Sequence, residues 1–126
     1  KKGFKQMTKE TIFSKIVAGD IPCNKIYEDD LVLAFYDINP DAKVHALVIP
    51  KSNHLERLSD LENSDAELIG HIMISISKVA KKLGISESGY RVITNSGDDA
   101  HQEVEHLHFH ILGGESLGKL NTNNKG

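Results

Sequence analysis

Three histidines alternate with apolar residues near the C-terminal end of this chain, in the run His106–Ile111. Successive side chains of an extended strand point to opposite faces. Leu107, Phe109 and Ile111 would therefore enter a core, while His106, His108 and His110 would form one row on the other face. Imidazole titrates near neutral pH, so three of them in a row are poorly suited to ordinary structure and favour chemistry. The pattern predicts a strand with one apolar face and one reactive face.

The remaining segments predict an α+β fold around that strand. A short helix is expected over 11–19, and a longer one from a capping box at Ser64–Glu67 to a C-cap at Gly84. His71 falls off the apolar stripe of the long helix and is expected to be solvated. The other strands are predicted at Lys25–Glu28, Leu31–Asp37, Val44–Ile49 and Tyr90–Thr94. Consecutive strands with mostly short connections favour a five-stranded antiparallel sheet with two helices.

Length and charge limit the class of protein. The 126 residues predict a single domain over 10–118, with a flexible segment at 1–9 and a tail at 119–126. A net charge of −3 and the lack of a basic patch with aromatic residues argue against binding nucleic acid. No apolar run approaches the length of a membrane span. The single cysteine favours a reducing compartment, so the cytoplasm is the expected location.

The histidine row has three interpretations. It can be the polar face of a half-solvated strand. It can also be a metal site, because imidazole is the commonest metal ligand, with Glu103 and Glu105 as weak additional candidates. Third, a neutral imidazole can attack phosphorus when its other nitrogen donates a hydrogen bond. That chemistry needs a nucleophile flanked by donors, which the spacing provides with His108 at the centre.

The chain resembles the histidine triad family, whose signature His-φ-His-φ-His-φ-φ is matched by residues 106–112. Other segments are similar to its branch of histidine triad nucleotide-binding proteins. They are Thr11–Ile16, Ile21-Pro22, Tyr27–Leu31, Ala34–Pro40, His45–Lys51 and Gly113-Gly114. The likeness covers about Glu10 to Gly118. It implies a homodimer with a continuous ten-stranded sheet, and hydrolysis of purine nucleoside phosphoramidates or acyl-adenylates without cofactor or metal. The alternative is a nucleotide-binding regulatory module with little catalysis.

The resemblance also implies catalytic roles. His108 matches the nucleophile that forms a nucleotidyl-histidine, and His110 matches the histidine that contacts the phosphate. His106 matches the first histidine of the triad, which orients the nucleophile and joins a proton relay. His54 is assigned to the same relay.

The family's substrate-binding positions map onto four parts of the chain. Asp37 and Ile38 match the nucleoside pocket, in which a carboxylate accepts from the ribose hydroxyls. Asn95 matches a residue near the phosphate and leaving group, and His45 one near the ribose or phosphate. The apolar base wall is represented by Ile12, Phe13, Ile16, Ile21 and Phe35.

The loop before the triad departs from the family pattern. Glu103 stands where some members have a serine, and Ala100-His101 replaces a pair of small residues. Backbone N–H groups of Gln102, Glu103 and Val104 are still expected to bind phosphate. A carboxylate so near an anionic substrate would repel it, so Glu103 is expected to point away.

Overall fold

A five-stranded antiparallel sheet forms the centre of the protein in the computed structural model, which describes residues 10–120. The strands are β1 (Lys25–Glu28), β2 (Val32–Tyr36), β3 (Val44–Pro50), β4 (Tyr90–Ile93) and β5 (Phe109–Gly113), in the spatial order β1-β2-β3-β5-β4. Helices α1 (Ile12–Ala18) and α2 (Ala66–Lys82) complete the fold. The predicted fold class is therefore confirmed. The predicted segment 1–9, and residues 121–126 of the predicted tail, lie outside the described residues.

Strands β2 and β3 are buried on both faces. Ala46 and Val48 of β3 join the core beneath α2, whereas Leu47 and Ile49 join a second core beneath α1. The same alternation runs through β2. A sheet covered on both sides needs nearly continuous apolar strands, which explains the composition of these two segments. No helix within residues 10–120 is both long and apolar enough to span a bilayer.

Helix α2 begins and packs differently from the prediction. It starts at Ala66, and the residue before it, Asp65, makes no side-chain capping bond to the helix. Residues 63–65 instead form a 3₁₀ turn, in which the Asp65 carboxylate accepts the Glu62 N–H at 2.9 Å. His71 is only partly exposed, because its Nε2 hydrogen-bonds Asp29 Oδ2 at 2.8 Å. The expectation of a solvated His71 holds only in part, since its ring is bonded to Asp29 in the β1–β2 turn.

Helix α1 is short but well defined at both ends. Thr11 and Ser14 form a reciprocal capping box at its start. Gly19 ends it in the left-handed conformation, at φ 87°. The helix carries Phe13 onto the sheet, where its ring lies edge-on to Phe35 at 5.8 Å. This placement covers the sheet face that bears the triad.

The triad segment is only partly a strand. Regular pairing of β5 begins at Phe109, three residues later than the predicted strand start at His106. The alternation nevertheless holds, because Leu107, Phe109 and Ile111 all enter the α2-side core. The segment before β5 is fixed by the Leu107 N–H, which donates to Leu55 O at 2.9 Å. A backbone that leaves the sheet here brings His106 and His108 close to α1.

Candidate active site

A cavity of about 300 Å³ lies between α1, the end of β2 and the loop that precedes the triad. Its walls combine an apolar side, three carboxylates and two histidines of the triad. The lining residues are Phe13, Asp37, Asp41, Leu47, Asn95, His101, Glu103, Val104, His108 and His110. This volume is at the lower end of the range for small-molecule sites.

His108 presents one free ring nitrogen to this cavity. Its Nδ1 lies 2.7 Å from His106 O, and because a carbonyl only accepts, Nδ1 carries the proton. The Nε2 lone pair is left as the acceptor or nucleophile. The Phe13 ring lies edge-on at 5.0 Å and restricts the orientation of the imidazole. This is the tautomer that attack through Nε2 requires.

His106 holds the segment in place from within the core. It is 1% exposed, and its Nε2–H donates to Pro50 O, at the end of β3, at 2.8 Å. Its Nδ1 has no hydrogen-bond partner in the described part of the chain. His106 thus contacts His108 through its carbonyl, while its side chain bonds to the end of β3.

A chain of hydrogen bonds fixes His110. The backbone N–H of Asp41 donates to His45 Nδ1 at 3.0 Å, so a neutral His45 carries its proton on Nε2. That Nε2–H donates to His110 Nδ1 at 2.9 Å. Neutral His110 therefore holds its own proton on Nε2. Because His110 lines the cavity, it is placed to donate a hydrogen bond to an anionic ligand.

The register of the sheet explains the contact between His45 and His110. Leu47 of β3 lies opposite His110, while His45 lies opposite Leu112. His45 and His110 are therefore diagonal neighbours on one face. The resemblance placed His45 near the ribose or phosphate. The alternation of side chains along β3, with Leu47 and His45 on one face, would also have placed His45 beside the triad.

Asp37, His45 and His110 also form the one cluster with metal-ligand geometry found among the described residues. One ligand atom from each lies within 4.8 Å of the others. The Asp41 N–H, however, donates to Nδ1 of His45, and the Nε2–H of His45 donates to His110. An ion would have to displace that proton from a neutral imidazole. The geometry favours a hydrogen-bonded pair over a metal centre, and neither Glu103 nor Glu105 belongs to the cluster.

Burial keeps the triad neutral at physiological pH. It lowers the pKa of His106 and of His108, and it lowers the pKa of His110 to about 4. The charges of neighbouring histidines lower the His110 pKa further, while Asp37 and Asp41 partly offset the shift. His108 is thus unprotonated at neutral pH.

The structure brings together about half of the predicted site residues. Phe13, Asp37, Asn95, Glu103, Val104, His108 and His110 line the cavity. The Asp37 carboxylate is oriented by the Asn39 N–H at 2.8 Å and lies 3.5 Å from His45 Nε2. Glu103 was expected to point away, but it lines the cavity, and after Asp37 its charge offsets part of the lowering of the His108 pKa by burial.

Other predicted residues lie outside the cavity lining. Ile16 and Phe35 are buried behind Phe13, and Ile38 is 84% exposed. Gln102 shapes the loop instead, because its amide accepts the Gly97 N–H and donates to Glu56 O and Val104 O.

His54, assigned from the sequence to the relay, is not among the groups joined to the triad. Its ring hydrogen-bonds Ser52 Oγ at 3.0 Å and Asp65 Oδ1 at 2.9 Å. The histidine that contacts the triad is His45.

Three lining residues were missed. Leu47 could have been found from the alternation of β3, and Asp41 from the turn after Asn39-Pro40. His101 adopts a left-handed backbone at φ 59°, the one positive φ outside glycine in the described chain. No sequence pattern marked that conformation.

Comparison with known proteins places this geometry in a family. A model of the HIT domain matches residues 18–117. The chain belongs to the HIT family. A HIT-like protein from Helicobacter pylori, itself uncharacterised, is 52% identical over 104 residues, which cover 82% of this chain and 96% of that protein.

Solved HIT structures share the fold. A HIT family hydrolase from Legionella pneumophila superposes with a TM-score of 0.83 at 41% identity, covering 86% of this chain and 96% of the other. A histidine triad nucleotide-binding protein from Candida albicans gives a TM-score of 0.73 at 32% identity, covering 91% and 86%. These likenesses extend over the whole domain and not over the triad alone.

Proposed function

We propose that this protein hydrolyses purine nucleoside phosphoramidates or acyl-adenylates through a nucleotidyl intermediate on His108. The observation that carries the proposal is the 2.7 Å hydrogen bond from His108 Nδ1–H to His106 O. It directs a neutral, buried imidazole with a free Nε2 towards the cavity. The similar Legionella protein is described as a hydrolase and the Candida protein as nucleotide-binding, which supports the same assignment.

The reaction follows from the two tautomers. His108 Nε2 attacks the phosphorus, and the bond to the leaving group breaks. The leaving nitrogen of a phosphoramidate takes the electron pair and a proton from solvent, whereas an acyl-adenylate releases a carboxylate with the electron pair alone. His106 O stabilises the positive charge that develops on the His108 ring. His110 Nε2–H donates to a phosphate oxygen. Water then cleaves the bond between phosphorus and His108 Nε2, which releases the nucleoside monophosphate and restores His108.

The nucleoside is proposed to lie on the side of the cavity formed by Asp37, Phe13 and Leu47. Two apolar side chains suit a base, and a carboxylate suits the ribose hydroxyls. The assignment to the nucleotide-binding branch of the family belongs to this proposal.

Turnover of an adenosine phosphoramidate by the wild type and by His108→Ala tests the mechanism. We expect AMP release by the variant to fall at least about a thousandfold, since the nucleophile is lost. Intact-mass analysis of a rapidly quenched reaction should reveal a nucleotidyl adduct on the wild type alone. Equal rates would refute the mechanism. Nucleotide binding without turnover by the wild type would favour a regulatory module instead.

A second copy of the chain is the proposed partner. Met73 and Ile74 of α2 and Val92 of β4 are large apolar side chains that are 40–60% exposed. Strand β4 is an edge of the described sheet, with β5 as its one neighbour. Pairing of two such edges would give the ten-stranded sheet and cover this apolar surface.

A further inference from the structure

The cavity is unusual for a phosphate site in its charge. Its lining contains three carboxylates, those of Asp37, Asp41 and Glu103, and neither lysine nor arginine is among the described residues that form it. His108 and His110 are neutral at physiological pH because burial lowers the pKa of each. A ligand that offers only negative charge is therefore repelled by this environment. A ligand that adds a positive charge is favoured.

The three carboxylates occupy different parts of the cavity. Asp37 and Asp41 are on the side of the His45–His110 pair, and their charges raise the pKa of His110. Glu103 comes from the loop before the triad, and its charge acts on His108 together with that of Asp37. The Glu103 side chain is exposed at the cavity wall. A leaving group in line with attack by His108 must also point outwards, away from the buried ring.

We propose that Glu103 makes the site selective for phosphoramidates whose leaving amine carries a distal cation, such as the second ammonium of a diamine. The inference rests on the proposed function for the position of the nucleotide. Glu103 attracts the ammonium of the incoming substrate. After cleavage it repels the product, a nucleoside monophosphate with a second negative charge.

The chemistry of the step is unchanged by this selection. The bond between phosphorus and the leaving nitrogen breaks as the bond to His108 Nε2 forms. The departing nitrogen takes the electron pair and a proton from solvent at the open mouth, and leaves as the amine. Its distal ammonium is neither formed nor consumed.

Two adenosine phosphoramidates of equal size test the proposal, one with a 3-aminopropyl leaving group and one with an n-butyl group. They differ only in a terminal ammonium or methyl. We expect kcat/KM of the wild type to favour the ammonium compound about two- to fivefold, the range that an exposed charge pair supports. The preference should weaken in 1 M salt, where the Debye length is about 3 Å.

Matched variants isolate the carboxylate. Glu103→Gln should reduce the preference to about one, whereas Glu103→Asp should keep part of it. Asp99→Asn removes the same charge from the same loop at an exposed position outside the cavity lining, and should leave the preference unchanged. An undiminished preference in Glu103→Gln, or an equal loss in Asp99→Asn, would overturn the proposal.

Calorimetric affinities of both compounds separate this inference from the proposed function. If the wild type cleaves neither compound, the phosphoramidase proposal fails, and the affinity ratio in wild type and Glu103→Gln still tests the charge selection. If both are cleaved with equal efficiency and bound with equal affinity by the wild type, the selection fails while the phosphoramidase proposal stands.

Discussion

Three backbone groups decide which nitrogen of each triad histidine carries a proton. Pro50 O accepts from His106, His106 O accepts from His108, and the Asp41 N–H sets His45 and through it His110. Main-chain groups cannot change protonation state near neutral pH, so the tautomers are fixed by the fold. The proposed attack by His108 therefore requires no change of tautomer when a substrate binds.

Neutrality of His110 has a consequence for stability. Burial lowers its pKa to about 4 in the folded chain, against about 6.5 in an unfolded one. Between these values the unfolded chain binds the proton and the folded chain does not. The free energy of unfolding should therefore decrease as pH falls from 6.5 towards 4. Urea unfolding at pH 7 and pH 5 measures the loss, which should be smaller in His110→Gln; an equal loss would contradict the assignment.

His45 and His54 offer a direct comparison of two histidines outside the triad. His45→Ala removes the donor that sets His110, so we expect kcat/KM to fall roughly tenfold, the effect of one lost hydrogen bond of about 1.4 kcal/mol. His45→Gln keeps an N–H donor and should recover part of the activity. His54→Ala should remain within about twofold, because His54 bonds Ser52 and Asp65. Greater loss in His54→Ala would restore the relay role implied by the sequence.

At the scale of the element, the β3–β5 pairing builds the site. Leu47 faces His110, and the diagonal position brings in His45. Strand β5 then ends at Gly113-Gly114, and Gly114 turns with φ at +82°. A Cβ there would lie 2.9 Å from Val44 Cγ2, at the start of β3. The glycine thus permits a close approach as well as a left-handed backbone.

Alanine substitution separates those two demands. Gly84→Ala tests the cost of the left-handed backbone alone, because Gly84 also has a positive φ but no atom lies within 4 Å of its added Cβ. We expect it to cost about 1 kcal/mol, and Gly114→Ala at least about 1 kcal/mol more, since Val44 must move. Urea denaturation of both variants gives the difference. Equal losses would mean that Val44 relaxes without cost.

Secondary structure could be predicted from local patterns, whereas parts of the site depend on contacts between distant segments. Strand β1 has the predicted bounds, because period-two alternation and turn residues are local signals. The late start of the triad strand depends on Leu55 and Pro50, about fifty residues away. Likewise, no local sequence pattern in the 95–105 loop predicts that the side chains of His101 and Glu103 line the cavity.

At the scale of the whole molecule, the sheet formed by residues 10–120 has two unlike edges. Strand β1 carries the exposed charges of Lys25 and Glu28, which form an ion pair at 2.9 Å. Strand β4 instead carries the 40%-exposed Val92, which pairs with the core residue Ile111. Charged edges discourage pairing between sheets, so the β4 edge is the one suited to a second copy.

Self-association through that edge can be measured by light scattering coupled to size exclusion. We expect the wild type to have twice the 13.9 kDa mass of the chain. Val92→Lys places like charges near the twofold axis of the proposed dimer and should weaken it at least about tenfold. Leu31→Lys, at a similarly exposed position in the β1–β2 turn, is the matched control and should remain dimeric. A monomeric wild type would exclude this interface. Equal dissociation of Val92→Lys and Leu31→Lys would exclude it as well, because a lysine should weaken the dimer only where the substituted position is buried between the two copies.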